Sequence, residues 1–225
     1  MAIHKRGITL DDYNTANHYW TLSSWEFPEP AVVENLVQVP GRLTGPLDLS
    51  TALTDGEPRY SSRTFRATLE VSDGTRKDRL GLVSRFINRF HGRACNLVLP
   101  DHPDHYAVGR FTVRELYNDL SHAAVEVAGV CEPWLYAAKE TTARLNVTTG
   151  AQTATLTVGG VMSVVPVVTI SGTDAEFHLE YQGSSWSLSA GVYRLPDLRL
   201  APGEHTVTFS GSGSAVITYR EAVLR

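Results

Sequence analysis

The chain has 225 residues, 42% of them hydrophobic, which predicts a folded protein with room for one large domain or two modest ones. Its formal net charge of −4 and its mostly scattered basic residues predict no recruitment of nucleic acid through phosphates. Its two cysteines, Cys95 and Cys131, are too few for a disulfide framework or a four-cysteine zinc site. We expect them to be buried free thiols in a reducing compartment.

The N-terminal residues carry charge but are not followed by an apolar run, so we expect no signal peptide. No stretch approaches the roughly eighteen apolar residues of a membrane span. These features predict a soluble protein that is made in the cytoplasm.

A long loop, punctuated by glycine and proline, follows the apolar residues 31–39. It runs through Val39-Pro40-Gly41-Arg42, Leu47-Asp48-Leu49-Ser50 and Tyr60-Ser61-Ser62-Arg63. A loop of about twenty residues inside a compact domain is uncommon and is usually functional or an interaction arm. This one contains no pair of carboxylates, no Cys/His cluster and no glycine-rich phosphate cradle. Its composition therefore indicates assembly rather than chemistry.

Residues 73–92 have the periodicity of an amphipathic helix. The predicted apolar side consists of Leu80, Val83, Ile87 and Phe90. Ser72 or Asp73 can cap the start, and Gly92 can end the helix in a left-handed conformation. The polar side is basic, with Arg76, Lys77, Arg79, Arg85, Arg89 and Arg93. Such a face is either solvated and paired with neighbouring carboxylates or a docking surface for an acidic protein.

Alternation of apolar and polar residues predicts strands around this helix. The predicted strands cover residues 65–71, 96–99, 106–116 and 122–130, with turns at 100–104 and 118–119. An antiparallel meander with one helix across it is an α+β arrangement. We assign it to residues 1–139, because the composition changes there to Ser, Thr, Gly and Val. Short alternating strands separated by glycines predict a β-sandwich or barrel for residues 140–225.

The best enzyme-like candidate is the segment Asp101-His102-Pro103-Asp104-His105. A metal-dependent hydrolase using Asp101, His102 and His105 is one hypothesis. Its spacing is poor for this purpose, because adjacent residues in a strand or turn point to different sides, and the pattern is typical of turns. No nucleophile elbow, P-loop, dinucleotide fingerprint or HExxH helix is present. We therefore predict no enzyme activity, no catalytic or metal-binding residues and no cofactor.

Three aromatic residues of the second part, Tyr181, Trp186 and Tyr193, suggest another function. Exposed aromatic rings in β-sandwich modules stack on sugars through their flat apolar faces. The alternation puts Tyr181 and Trp186 on the side of Leu179 and Leu188, so core packing competes with this interpretation. A carbohydrate-binding module for surface attachment is the alternative hypothesis.

Five segments, in order along the chain, resemble the distal tail protein (Dit) family of siphophages. The loop is similar to the family's PGR…LDL…YxxR run, and the others are Phe90-His91-Gly92-Arg93, Tyr106-Ala107-Val108-Gly109-Arg110-Phe111, Cys131-Glu132-Pro133-Trp134-Leu135-Tyr136 and Tyr219-Arg220-Glu221-Ala222-Val223-Leu224. The last departs from the family pattern at Ala222, where glycine is common.

The resemblance implies a mainly β protein with a ring-forming belt domain over residues 1–139 and a galectin-like β-sandwich over residues 140–225. It implies a hexameric ring in the virion tail tip, assembled in the host bacterial cytoplasm. Its expected partners are other copies of the same chain, the tail tube protein and tail-tip or baseplate proteins that recognise the host. We expect no membrane span and no specific binding of nucleic acid. The subunit-interface candidates are Pro40, Gly41, Arg42, Asp48, Arg63, Arg85, Arg89 and Arg110.

Overall fold

The computed structural model describes residues 6–41, 44–52, 54, 56–147, 150–172 and 177–225. The chain separates into two compact units, which are described individually: unit 1 is Met1–Leu135 with Leu224–Arg225, and unit 2 is Tyr136–Val223. About 55% of the residues lie in strands, so the predicted mainly β fold is confirmed. In the part of the chain that the structure describes, no helix is long and apolar enough to cross a membrane.

An antiparallel sheet forms the centre of unit 1. Its strands are β1 (Thr9–Leu10), β2 (Tyr13–Asn14), β3 (Thr21–Glu26), β6 (Arg63–Val71), β7 (Arg93–Leu99), β8 (His102–Asn118) and β9 (Ala123–Cys131). They lie in the order β2-β1-β7-β8-β9-β6-β3. Two further strands, β4 (Leu36–Val37) and β5 (Leu47–Asp48), pair only with each other. A 3-10 helix, Thr15–His18, follows β2.

The predicted strands are present, but β7 and β8 are longer than their apolar patterns indicate. Arg93 pairs with Phe111 and Leu99 pairs with His102, so the hairpin continues beyond both patterns. The predicted turn at 100–104 is therefore confined to Pro100 and Asp101. Backbone pairing extends these strands because a ladder needs only N–H and C=O groups, whatever the side chains.

The predicted helix is α1, Arg76–Phe90, which is the one α-helix among the described residues. Its cap is Thr75 rather than Ser72 or Asp73. The Thr75 hydroxyl accepts a hydrogen bond from the Asp78 N–H at 3.3 Å, and the Thr75 N–H donates to Asp78 Oδ2 at 3.0 Å. This reciprocal capping box satisfies two N–H groups at the start of the helix. At the other end, Gly92 has φ +76°, as a left-handed helix stop requires.

The side of α1 that faces the sheet differs from the predicted stripe. Val83, Phe86 and Phe90 are buried, whereas Leu80 is 54% exposed. Arg79 was predicted on the basic face but is buried, and its guanidinium donates to the carbonyl of Leu120 at 2.8 Å. The basic-face prediction was wrong for Arg79, because a long side chain can bury its stem while its terminal nitrogens donate to backbone carbonyls.

Unit 2 contains, among its described residues, two antiparallel sheets of four strands. The strands are β11 (Thr141–Val147), β12 (Ala151–Val158), β13 (Val167–Ser171), β14 (Phe177–Tyr181), β15 (Ser184–Leu188), β16 (Gly191–Arg194), β17 (Gly203–Gly211) and β18 (Gly213–Tyr219). The sheet orders are β11-β18-β13-β16 and β12-β17-β14-β15. Both sheets contribute buried side chains to one core, including Ile217 and Phe209, as the predicted β-sandwich requires. Short strands β10 (Leu135–Ala137) and β19 (Ala222–Val223) pair with each other.

Candidate functional site

Residues 31–62, called the arm below, connect β3 to β6 in unit 1 and contain no buried residue among those described. The predicted loop is partly a ribbon, because β4 pairs with β5 and sets Val37 opposite Leu47 and Leu36 opposite Asp48. Towards its base, the Val33 N–H donates to the Arg59 carbonyl at 2.8 Å. The arm therefore holds its shape mainly through backbone hydrogen bonds and turns.

The arm exposes large aliphatic side chains. Val32 is 53% exposed and Leu36 50%, and the others are Val33, Val37, Val39 and Leu47. An isolated two-stranded hairpin is at best marginally stable in water. Clustered exposed aliphatic residues on such an element are typical of an interaction surface.

Three interface candidates lie at or near the tip of the arm. Pro40, Gly41 and Asp48 are all exposed. Gly41 has φ +84°, and no atom lies within 4 Å of the position that a Cβ would occupy, so the turn requires its backbone conformation rather than its small size. Asp48 Oδ1 accepts a hydrogen bond from the Ser50 N–H at 2.9 Å. Bonds from the Ser50 side chain and backbone hold the pKa of Asp48 below its ordinary value. Arg42 lies outside the described residues.

Arg63 was predicted at a subunit interface, but the structure places it inside unit 1, at the root of the arm. Only 4% of it is exposed, and its guanidinium lies 3.7 Å from the centre of the Phe27 ring. It donates to the carbonyls of Pro28 at 2.7 Å, Leu224 at 2.9 Å and Phe27 at 3.2 Å. Phe27 and Pro28 precede the arm and Arg63 follows it. The Arg63 side chain therefore joins the two ends of the arm, and we call this contact the clamp.

A groove of about 740 Å³ lies along α1 and the N-terminal segment of unit 1. Its lining includes the aromatic rings of Tyr13, Tyr19 and Phe86 together with Leu82 and Arg85. Tyr19 is 63% exposed and has φ +70°, a left-handed conformation that holds its ring at the groove. The groove thus combines apolar walls with cationic side chains.

The three remaining arginine candidates are all exposed. Arg85 lines the groove and forms no ion pair with a described residue. Arg89 also lines it and donates to Asp12 Oδ1 at 2.6 Å, with its guanidinium 5.0 Å from the centre of the Tyr13 ring. Arg110 instead donates to the Gly92 carbonyl at 2.6 Å, beyond the end of α1. The structure therefore brings together Arg85 and Arg89, but not Arg110.

The proposed sugar contacts are less accessible than the sequence suggests. Tyr181 is only 5% exposed, and its hydroxyl lies 2.8 Å from His205 Nδ1, so its ring belongs to the core of unit 2. Trp186 and Tyr193 are half-buried and pack against the same core. Tyr181 therefore offers almost no ring surface for stacking on a sugar.

The described residues include no group of three or more His, Cys, Asp or Glu side chains placed to hold a metal ion. His102 and His105 lie in β8, where successive side chains alternate between the two faces. The geometry thus gives no support to the hydrolase hypothesis.

No protein-family model matches this chain, and no curated protein sequence matches it significantly. Seven chains of solved structures match it. One is the Dit protein of phage SPP1, described as a paradigm of the hub adsorption apparatus in phages that infect Gram-positive bacteria. The TM-score is 0.66 with 14% sequence identity, over 96% of this chain and 98% of that chain. The likeness shows a shared fold.

Proposed function

We propose that this chain is a distal tail protein of a siphophage or a related tail-like particle. Six copies form a ring at the tail tip, which connects the tail tube to tip or baseplate proteins that recognise the host. Unit 1 forms the ring, and unit 2 is a galectin-like domain. The protein acts through shape, without turnover or cofactor, and assembles in the cytoplasm of the host bacterium.

The observation that carries this proposal is the likeness of fold to a phage hub protein along nearly the whole chain. A structural match to one unit alone would indicate only a β-rich domain of a widespread type and would not favour a tail hub. The five family-like segments add independent support, since they occur in the expected order in the sequence.

Assembly also explains features that have no role in an isolated subunit. A ring needs two unlike faces on each copy, which mate with each other and close by rotation. The arm offers exposed aliphatic side chains on a ribbon that contributes no described residue to the core. The α1 groove offers a concave surface of different composition.

Native mass spectrometry and electron microscopy of the purified full chain test this proposal. Six copies of a 24.7 kDa chain give a particle of about 148 kDa, seen as a ring with an open centre. The ring is expected to bind the tail tube protein of the same particle at one end. A chain that stays monomeric at high micromolar concentration, and forms no ring in the presence of tail proteins, would contradict the proposal.

A further inference from the structure

We propose that the arm of one copy docks in the α1 groove of a neighbouring copy, with the apolar face of the ribbon at Val37 and Leu47 against the aromatic walls. This inference rests on the proposed function, because it names the two surfaces that mate when the ring closes. It also assigns different tasks to two sets of arginines: Arg85 and Arg89 contact the neighbour, and Arg63 fixes the arm from which the contact is made.

The groove is open to a second molecule. Among the described residues, none that lines it comes from the chain's own arm, and its walls include the exposed ring of Tyr19 and the partly buried side chain of Leu82. The arm has the matching property, since Val37 and Leu47 lie opposite each other and both are more than a third exposed. Burying two such surfaces against each other removes apolar area from water on both sides.

The charges of the two surfaces are complementary. The arm contains four acidic and two basic residues, a net charge of −2, namely Glu34, Asp48, Asp55 and Glu57 against Arg42 and Arg59. The groove lining contains three arginines, Arg79, Arg85 and Arg89, and two aspartates, a net charge of +1. Asp73 and Asp78 also line the groove, but Asp78 is engaged by Thr75 at the start of the helix. Arg85 is therefore the main group that an acidic arm meets, because Arg89 is already paired with Asp12, and such pairs mainly set register and association rate.

A contact between the arm and the groove is heterologous, because the two are different surfaces at different ends of unit 1. The arm leaves the sheet beside Arg63, at the first residue of β6, whereas Val71 at the last residue of β6 lines the groove. A nine-residue strand separates these points by about 26 Å. The root of the arm and the groove therefore lie at opposite ends of β6, and each copy has one arm and one groove to offer.

Two paired variants of the full chain test the contact. The groove variant combines Arg85→Glu with Tyr19→Asn, because asparagine tolerates the left-handed conformation at position 19. Its control is Lys77→Glu, the same charge change on α1 but outside the groove lining. The arm variant combines Val37→Lys with Leu47→Lys, and its control, Thr51→Lys with Ala52→Lys, adds the same charge at exposed positions away from that face. Thermal melts establish that all four variants are folded.

We expect both controls to form the wild-type ring. The groove variant and the arm variant are each expected to lose at least ten-fold in ring fraction at the same concentration. An equimolar mixture of the two should give a heterodimer and no ring, because only one intact arm and one intact groove can meet. That result identifies the two surfaces as mates.

Several results would overturn the inference. Rings formed normally by the groove variant would mean that the groove serves another partner, such as the arm of a tail tube protein, and would leave the proposed function intact. A mixture that stays monomeric would mean that arm and groove do not contact each other. A wild-type chain that never assembles would remove both the inference and the proposed function.

Discussion

Replacing Arg63 with lysine keeps the positive charge but removes the planar group that donates several hydrogen bonds, so the variant tests which of the two stabilises unit 1. The guanidinium donates to the carbonyls of Phe27, Pro28 and Leu224 from a nearly buried position, with a longer contact of 3.4 Å to the Pro133 carbonyl. Lysine keeps the charge but has a single ammonium, which cannot reach acceptors on several sides at once. Each hydrogen bond to a charged group contributes about 1.5–3 kcal/mol when buried, and partial access of water to these carbonyls reduces that figure.

Losing two of the three short bonds should therefore destabilise unit 1 by about 2–4 kcal/mol. For a domain of this size, that corresponds to a fall in Tm of about 6–12 °C. Arg63→Met should cost a similar amount. Differential scanning calorimetry of the full chain measures both, with Arg66→Met as the control, since Arg66 lies on the exposed side of the same strand and its ion pair to Glu126 is 4.0 Å long. An Arg63→Lys variant whose free energy of unfolding lies within about 0.5 kcal/mol of the wild-type value would refute this prediction, because only an exposed arginine is expected to contribute so little.

Four further predictions concern other parts of the chain. Gly41→Ala forces a residue with a Cβ into a positive φ in the arm, so the ring fraction should fall while the Tm of unit 1 stays unchanged; an equal loss of both would contradict this. Burial raises the pKa of Cys95 to about 11 and that of Cys131 to about 12, so both thiols should react slowly with Ellman's reagent at pH 8 until the protein is unfolded; rapid release of two equivalents from native protein would refute this. Hydrogen bonds from the Thr75 side chain and backbone lower the pKa of Asp78 from its ordinary 3.8, so its ionised form stabilises unit 1 above that pH; the Tm deficit of Asp78→Asn at pH 7 should shrink as the pH falls below 3.8, and a deficit independent of pH would exclude the capping role. Trp186→Ala should lower the stability of unit 2 by about 1–3 kcal/mol without changing binding on a glycan array; loss of glycan binding with an unchanged Tm would favour the carbohydrate alternative.

Patterns with a strict physical period were readable from the sequence. The alternation at Phe65, Ala67 and Leu69 predicted the buried face of β6, and all three side chains are buried. The glycine at position 92 marked the end of α1 because a left-handed residue is needed there. Such features depend on neighbouring residues alone, so one sequence is enough to find them.

Features that depend on distant residues were not readable. Nothing near Arg63 in the sequence indicates that its acceptors lie at Phe27, Pro28 and Leu224. The groove likewise joins Tyr19 to Arg85 across 66 positions, with only the aromatic character of Tyr13 and Tyr19 as a signal. The start of α1 was misplaced for a simpler reason: Ser72, Asp73 and Thr75 are all good caps, and only the reciprocal bond between Thr75 and Asp78 distinguishes them.

The separation of the arm from the core has an evolutionary consequence. None of the described arm residues is buried, so substitutions at positions such as Leu36 or Val39 should affect folding much less than substitutions at a core residue such as Phe65. The sequence of the arm is therefore constrained mainly by the surface that it meets and only weakly by the folding of unit 1.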